Sequence, residues 1–212
     1  MARVMPLDGQ AVGATHPVGV RTLHDGRCIA VRSLDSTALE QFGAFVRGLS
    51  ATSRALRFLA PIWGLSDDAL SRLVLVDQRS NVAWIGEACT APGMVVAEAR
   101  YAVTAPAEAE LAFAVADDWQ RNGLGTNLLR RLLEHASAAG IERVWGYVRR
   151  DNSVALAVAR RLGFEVRPDP DELLLFIVSR SAVGVAYSGA DRGTPRRSRT
   201  SAFKLPWKIR SS

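Results

Sequence analysis

Short apolar segments with the alternation of β-strands are interspersed with segments whose apolar residues recur every three to four positions. The strand pattern is found in six segments, namely 28–34, 81–90, 93–104, 109–116, 141–150 and 173–180. The helical pattern is found in five segments, namely 36–49, 53–60, 69–76, 124–139 and 152–162. No internal repeat is found, and strand and helix alternate after residue 116. This order predicts an α+β fold.

The periodic segments occupy the middle of the chain and indicate one folded domain. A length of 212 residues with 48% hydrophobic residues is enough for a single packed core. Residues 1–20 are rich in glycine and proline and are predicted to form a flexible leader. The domain is predicted to span residues 21–181, followed by a tail over residues 182–212.

The net charge of +6 belongs to the tail. The acid of the tail is Asp191, and its seven basic residues are Arg192, Arg196, Arg197, Arg199, Lys204, Lys208 and Arg210. Residues 1–181 are therefore formally neutral. The tail buries too little apolar surface to offset its ordering entropy and is predicted to be disordered. The prediction is a solvated tail, and nucleic-acid binding is the weaker alternative.

The remaining composition excludes several classes of protein. No apolar run approaches the roughly 20 residues of a membrane helix, and the N-terminus lacks a signal-peptide core, so a cytoplasmic protein with no membrane partner is expected. Cys28 and Cys89 are expected to form no disulfide framework and match no metal-ligand spacing, so they are expected to be small core residues, with a reactive thiol as the alternative. His16, His24 and His135 are likewise expected to be surface or structural residues, so no metal is predicted.

The segment between the strand at 109–116 and the helix at 124–139 has the glycine pattern of a phosphate-binding loop. It lacks the lysine that follows the last glycine of a nucleotide P-loop, because Thr126 follows Gly125. It also lacks the third glycine of the dinucleotide fingerprint, where Leu128 stands. The pattern Q/R-x-x-G-x-G/A fits residues 120–125, and the preceding Asp117 and Asp118 are expected to shape a turn.

With this loop the chain resembles the GNAT superfamily of acyl-CoA-dependent N-acyltransferases, over about residues 28–180. Asn152 and Ala155, followed by Gly163 and Phe164, match a second segment of that family. The resemblance implies a central, mixed but mostly antiparallel sheet of about six or seven strands. About four helices flank the sheet, which is splayed at the acyl-CoA site. It also implies that acetyl-CoA is the cosubstrate, with no metal.

The resemblance further implies the residues that bind the cofactor. They are Val115, Gln120, Arg121, Asn122, Gly123, Leu124, Gly125, Thr126 and Asn152. Backbone N–H groups of the loop and the positive end of the following helix suit the pyrophosphate, and a backbone N–H near Val115 suits the oxyanion. Asn152 is expected to contact the pantetheine arm. It can also cap the next helix, and both roles can hold together.

Glu110 is the predicted general base, because it begins the strand that leads into the loop, where the family often keeps a catalytic glutamate. A carboxylate there can deprotonate the attacking amine. The alternative is a solvated edge carboxylate, with Glu98 on the neighbouring strand as the reserve base. Many members use a tyrosine seven residues after the asparagine as general acid, but this chain has Ala159 there. Tyr147 and Tyr101 are the possible substitutes.

A narrower resemblance concerns the acceptor. The segment 49–61, LSATSRALRFLAP, is similar to the LS-x-x-S…RFF segment of bacterial protein lysine acetyltransferases that modify acyl-CoA synthetases, although Leu59 replaces the second Phe. The predicted function is therefore transfer of an acetyl group from acetyl-CoA to an amine, with a lysine on an acyl-CoA synthetase as one candidate. The alternatives are a small-amine acetyltransferase and a catalytically weak module that senses acyl-CoA.

Overall fold

In the computed structural model, which describes residues 17–182, a single eight-stranded sheet is flanked by helices on both faces. The strands are β1 Pro17–Thr22, β2 Cys28–Ser33, β3 Asn81–Ala88, β4 Val95–Ala105, β5 Glu108–Val115, β6 Arg143–Arg149, β7 Glu165–Pro168 and β8 Leu175–Ser181. The helices are α1 Leu39–Gly48, α2 Ala51–Phe58, α3 Asp67–Val74, α4 Leu124–Ala138 and α5 Ser153–Arg161. The predicted α+β class is confirmed.

The sheet is mixed and mostly antiparallel, as predicted. Its strands are ordered β1-β2-β3-β4-β5-β6-β8-β7, and β5 with β6 is the parallel pair. The sheet has eight strands instead of six or seven, and five α-helices flank it instead of about four. The two additional strands, β1 and β7, are short edge strands that pair through backbone hydrogen bonds. Because their side chains lack a clear apolar alternation, the pattern did not reveal them.

Strand β1 also corrects the predicted leader. The leader was expected to extend to residue 20, but β1 begins at Pro17 and pairs with β2 from Pro17 to Thr22. Of the tail predicted for residues 182–212, Ala182 is buried in the core and residues 183–212 lie outside the described residues. In the described part of the chain, no helix is both long enough and apolar enough to cross a membrane.

Each face of the sheet carries its own hydrophobic core. Helices α1, α2 and α3 cover one face, where Phe42 and Leu73 pack against Ile85 of β3. Helices α4 and α5 cover the other face, where Leu128 and Leu132 pack with strand residues. Because side chains alternate along β5, consecutive residues of this strand belong to different cores. Strand β5 therefore contacts the helical layers on both faces of the sheet.

In contrast to the predictions, the two cysteines are not core residues and they are bonded to each other. Cys28 begins β2 and Cys89 directly follows β3, and the two form a disulfide with a Cα–Cα distance of 5.4 Å. The antiparallel pairing of β2 with β3 brings them together, and the backbone N–H of Cys89 donates to the carbonyl oxygen of Cys28. Cys89 is exposed and Cys28 is half-buried. The separation of 61 residues hid this pairing from the sequence pattern.

Candidate active site

Strands β5 and β6 separate part of the way along their length. Their parallel pairing covers Glu108 with Arg143, Ala109 with Val144 and Glu110 with Trp145. Both strands continue for several residues beyond this point, to Val115 and Arg149. The sheet is therefore open between the second half of β5 and the second half of β6, as the predicted splay requires.

Gly146 is required where the two strands begin to separate. A Cβ atom at this position would lie 2.9 Å from the carbonyl oxygen of Leu111 in β5. Real Cβ atoms essentially never approach a backbone oxygen so closely, so a larger residue would push the strands apart. The glycine thus fixes the width of the opening at its closed end.

The opening leads into a cavity of about 720 Å³. This volume is typical of sites that bind small molecules and cofactors. Its walls are formed by β5, β6, α2, α5 and the loop before α4. The lining from β5 and β6 consists of Glu110, Leu111, Ala112, Phe113, Ala114, Val115, Gly146, Tyr147 and Val148. Helix α2 contributes Thr52, Ser53, Leu56 and Arg57 to the same cavity.

The loop at residues 120–126, called here the glycine loop, has the backbone conformation of an anion site. Arg121 and Gly123 both have positive φ angles, of 62° and 89°. Helix α4 begins at Leu124, directly after Gly123, so its first residues belong to the glycine loop, and it runs for 15 residues. Its first N–H groups and its positive dipole end therefore lie at the cavity, where they can hold an anion. A Cβ at Gly125 would lie 3.3 Å from the ring of Phe113, so this glycine lets α4 pack closely on β5.

Two side chains of the glycine loop, Gln120 and Asn122, tie it to three other segments. Gln120 Nε2 donates to the carbonyl oxygen of Val115 at 3.1 Å and to Ser53 Oγ at 3.3 Å. Asn122 Oδ1 accepts a hydrogen bond from the N–H of Leu124, and Asn122 Nδ2 donates to Asp25. The loop is thus tied to β5, to α2 and to the turn between β1 and β2.

Glu110 lies at the closed end of the opening. It is the last residue of β5 that pairs with β6, its side chain lines the cavity, and only 2% of the residue is exposed. The alternative reading of Glu110 as a solvated edge carboxylate is therefore wrong. A buried carboxylate beside a cavity is well placed to exchange a proton with a bound molecule.

Glu98, the reserve base, has a structural role. Arg57 Nε donates to Glu98 Oε2 at 3.0 Å and Arg57 Nη2 donates to Oε1 at 3.2 Å, while Arg100 Nε also donates to Oε1. Burial raises the pKa of the Glu98 carboxyl, but the two guanidinium groups outweigh it and hold the pKa below its ordinary value. Glu98 lies outside the set of described residues that line the cavity.

Comparison with known proteins gives the family. The sequence model of the Acetyltransferase (GNAT) family matches residues 55–164, about half of the chain. The chain belongs to the GNAT acetyltransferase family. An acetyltransferase of Pseudomonas aeruginosa is 29% identical over 155 residues, which cover 72% of this chain and 83% of that relative.

Two further relatives illustrate the range of GNAT proteins. The solved structure of the GNAT domain of S. lividans PAT is 27% identical, with a TM-score of 0.70, and covers 78% of this chain and 99% of that chain. An L-methionine sulfoximine/L-methionine sulfone acetyltransferase of Pseudomonas aeruginosa is 32% identical over 105 residues, which cover 47% of this chain and 61% of that relative. The predicted GNAT fold is therefore confirmed.

The structure brings most of the predicted cofactor residues to one cavity. The lining includes Val115, Gln120, Arg121, Gly123, Gly125, Thr126 and Asn152. Asn122 and Leu124 are buried outside the described lining, where Asn122 braces the loop and Leu124 packs in the core. Asn152 Oδ1 also accepts a hydrogen bond from the N–H of Ala155. Asn152 therefore caps α5, as predicted, and also lines the cavity, while its contact with the pantetheine arm stays a prediction.

The GNAT tyrosine position is occupied by Ala159, which lines the cavity. Of the two proposed substitutes for the tyrosine, Tyr101 is fully buried on the sheet face that α4 and α5 cover. Its hydroxyl is 3.0 Å from Nδ1 of His135. Burial, with a contribution from Asp77, raises the pKa of Tyr101 to about 12. Tyr101 is therefore a structural residue. Tyr147 lines the cavity from β6 and remains the candidate.

Asp117 does more than shape the turn. Its carboxylate accepts hydrogen bonds from the N–H of Ser50 at 2.9 Å, from Ser50 Oγ at 2.8 Å and from Ser53 Oγ at 2.7 Å. It therefore clamps the N-terminus of α2 to the segment that enters the glycine loop. The sequence pattern singled out both serines, which belong to the LSATS motif, but it did not indicate that Asp117 is their partner.

Replacing Asp117 with Ala is expected to raise the KM for acetyl-CoA roughly three- to ten-fold, as befits an exposed hydrogen-bond network worth about 1 kcal/mol. Burial raises the pKa of Asp117, but the hydrogen bonds from Ser50 and Ser53 outweigh it and lower the pKa. The clamp is therefore complete at neutral pH and is lost only as pH falls through that lowered pKa. Steady-state kinetics between pH 5.5 and 8 should show a constant effect. An equal effect of Asp118→Ala, at the exposed neighbour, would contradict the clamp.

Arg121→Asn is expected to change stability and affinity in opposite directions. The left-handed backbone at Arg121 costs a side chain of this kind about 1–2 kcal/mol, and asparagine tolerates it better. Urea unfolding should show a gain of up to about 1 kcal/mol, while calorimetry should show roughly five- to ten-fold weaker acetyl-CoA binding through loss of a charged donor. Arg121→Lys, which keeps the charge, should retain most of the affinity. Unchanged binding by Arg121→Asn would exclude this side chain from the site.

Proposed function

We propose that this protein transfers the acetyl group of acetyl-CoA to an amine, with Glu110 as the general base and the glycine loop as the pyrophosphate site. One observation carries the proposal. A buried carboxylate at the closed end of the β5–β6 opening and a left-handed glycine loop at the start of α4 line the same cavity. An acetyl-CoA molecule bound in this cavity would have its phosphates at the glycine loop and its thioester near the carboxylate of Glu110.

The cofactor would lie along the opening. The backbone of β5 beyond Glu110 separates from β6, so N–H and C=O groups at the opening are available to an extended amide chain such as pantetheine. Asn152 faces the cavity from the start of α5. The pyrophosphate would accept hydrogen bonds from the N-terminal N–H groups of α4, with Arg121 at the rim.

The chemistry would need few side chains. Only the neutral amine attacks, and the ordinary pKa of a lysine ammonium is near 10.4. Glu110 therefore takes a proton from the acceptor ammonium, directly or through water. The nitrogen then forms a bond to the thioester carbon, and a backbone N–H near Val115 supports the oxyanion. The C–S bond breaks, and the nitrogen loses its second proton to solvent to give the amide. The CoA thiolate is a modest base that can leave without help, and Tyr147 is the candidate donor of its proton.

The acceptor would enter on the side of α2. Thr52, Ser53, Leu56 and Arg57 of this helix line the same cavity as Glu110. This helix contains the motif that resembles protein lysine acetyltransferases, which supports a protein lysine as acceptor. The relative named for methionine sulfoximine and methionine sulfone supports a small amine instead. The buried Glu110 argues against a module that only senses acyl-CoA.

Release of free CoA tests the proposal. Wild-type protein is incubated with acetyl-CoA and a panel of small amines, amino acids and acyl-CoA synthetases, and thiol release is followed with and without each acceptor. Acceptor-dependent release that is lost in Glu110→Gln is expected. Saturable acetyl-CoA binding without release for any acceptor would favour the sensing module. Release from the synthetases alone, with an acetylated lysine found by mass spectrometry, would identify the protein-lysine branch.

A further inference from the structure

The turn between β1 and β2, residues 23–27, lies directly against the glycine loop. The backbone N–H of His24 donates to the carbonyl oxygen of Asn122 at 3.4 Å, and Asn122 Nδ2 donates to Asp25 at 3.3 Å. The guanidinium of Arg27 stacks 4.1 Å from the ring centroid of Trp119, in the turn before the loop. Three separate contacts therefore join two segments that are about a hundred residues apart in sequence.

The turn is well ordered by its own interactions. The N–H of Leu23 donates to the carbonyl oxygen of Arg27 at 2.7 Å, and the side chain of Leu23 is buried in the core. Arg27 also forms an ion pair with Asp25 at 2.6 Å. Hydrogen bonding by Arg27 is the main cause that lowers the pKa of Asp25 to about 2. The negative charge of Asp25 is thus matched by the positive charge of Arg27.

This turn presents the imidazole of His24 to the phosphate-binding end of the cavity. The ring lies beside the left-handed Gly123, with Cε1, Nε2 and Nδ1 at 3.0, 3.2 and 3.4 Å from the position a Cβ of Gly123 would occupy. His24 lines the cavity together with Arg121 and Gly123. An imidazole N–H is a good donor to a phosphate oxygen, and it becomes a charge-assisted donor when the ring is protonated.

We propose that His24 is a ligand of a cofactor phosphate, so that the β1–β2 turn forms a second wall of the phosphate site opposite the N-terminus of α4. The inference rests on the proposed acetyl-CoA site. The glycine loop provides backbone donors from one side, and His24 provides a side-chain donor from a strand pair outside the matched region 55–164. The phosphate is either the pyrophosphate or the 3′-phosphate of CoA, which carry the same chemistry.

Calorimetric titration with acetyl-CoA tests this role through two variants of similar size. His24→Leu keeps the packing on Gly123 but removes the donor, and roughly ten-fold weaker binding is expected for a lost hydrogen bond to a charged group. His24→Gln keeps an N–H donor and should bind within about three-fold of the wild type. Wild-type affinity in His24→Leu, or equal weakening in both variants, would overturn the inference.

The same titrations with dephospho-CoA distinguish the two phosphates. If the leucine variant loses the same factor with dephospho-CoA, His24 contacts the pyrophosphate. If the wild type and the variant bind dephospho-CoA equally, His24 contacts the 3′-phosphate. Failure of the wild type to bind acetyl-CoA at all would instead overturn the proposed function, and the role of His24 with it.

Discussion

Glu110→Gln should lower the turnover number for acetyl transfer about 100-fold or more, because the variant can no longer accept the proton of the attacking amine. Affinity for acetyl-CoA should stay within about two-fold of the wild type, since the amide keeps the size and polarity of the carboxylate. A loss confined to kcat is the signature of an interaction that matters in the transition state. Steady-state kinetics with a saturating acceptor, together with calorimetry for the cofactor, measure the two quantities.

Glu108→Gln is the matched control. Glu108 is two residues earlier on the same strand and is partly exposed, where it forms a 3.2 Å ion pair with Arg143. It lies outside the described lining of the cavity, and its removal should leave turnover nearly unchanged. Equal turnover in Glu110→Gln and in the wild type at every pH would show that Glu110 is structural. A large loss in the control would point to a general effect on β5.

Glu98→Ala should lower the free energy of unfolding by about 3–5 kcal/mol, the typical cost of leaving a buried charge without its partner. Glu98 is 1% exposed and is bound by the guanidinium groups of both Arg57 and Arg100. Its removal leaves two positive charges together in the core between the sheet and helices α1 to α3. Urea unfolding, followed by circular dichroism, gives the change directly.

Asp68→Ala is the control for the buried cluster, since it breaks an exposed ion pair with Arg72 in α3 whose side chains are 76% and 55% exposed. That pair should contribute less than about 0.5 kcal/mol. Equal losses in the two variants would contradict the account of the cluster. Because the pKa of Glu98 is lowered in the fold, its contribution to stability should be complete at neutral pH and disappear as pH falls through that lowered pKa.

The elements and the glycine loop could be predicted because their signals are local. Strands β3 to β6 and helix α4 have strong periodicity over seven residues or more. The loop is a short contiguous motif, and its glycines meet local requirements for a left-handed backbone and for close helix packing. The position of Glu110 at the cavity could be predicted because it begins the strand that leads into the loop, where the family often keeps a glutamate. In each case the information lies within about 15 residues of sequence.

The remaining features depend on contacts between distant segments. The disulfide of Cys28 with Cys89 requires the β2–β3 register, and the clamp on Asp117 requires α2 to pack against the turn after β5. Alternation along β4 places Glu98 and Arg100 on one face, but it cannot show that Arg57 completes the cluster. His24 carries no motif at all, and only the fold of the β1–β2 turn brings it to Gly123.

Titration of acetyl-CoA into the wild type and into Gly123→Glu tests the central claim most directly. Gly123 has a φ of 89°, and a Cβ there would lie 3.0 Å from the imidazole of His24, so a side chain is strained and must displace that ring. Glutamate would also bring a negative charge to the proposed phosphate site. With an unfolding curve confirming that the variant is folded, we expect saturable one-site binding by the wild type and no measurable binding by Gly123→Glu. Equal affinity of the two proteins for acetyl-CoA would contradict the central claim.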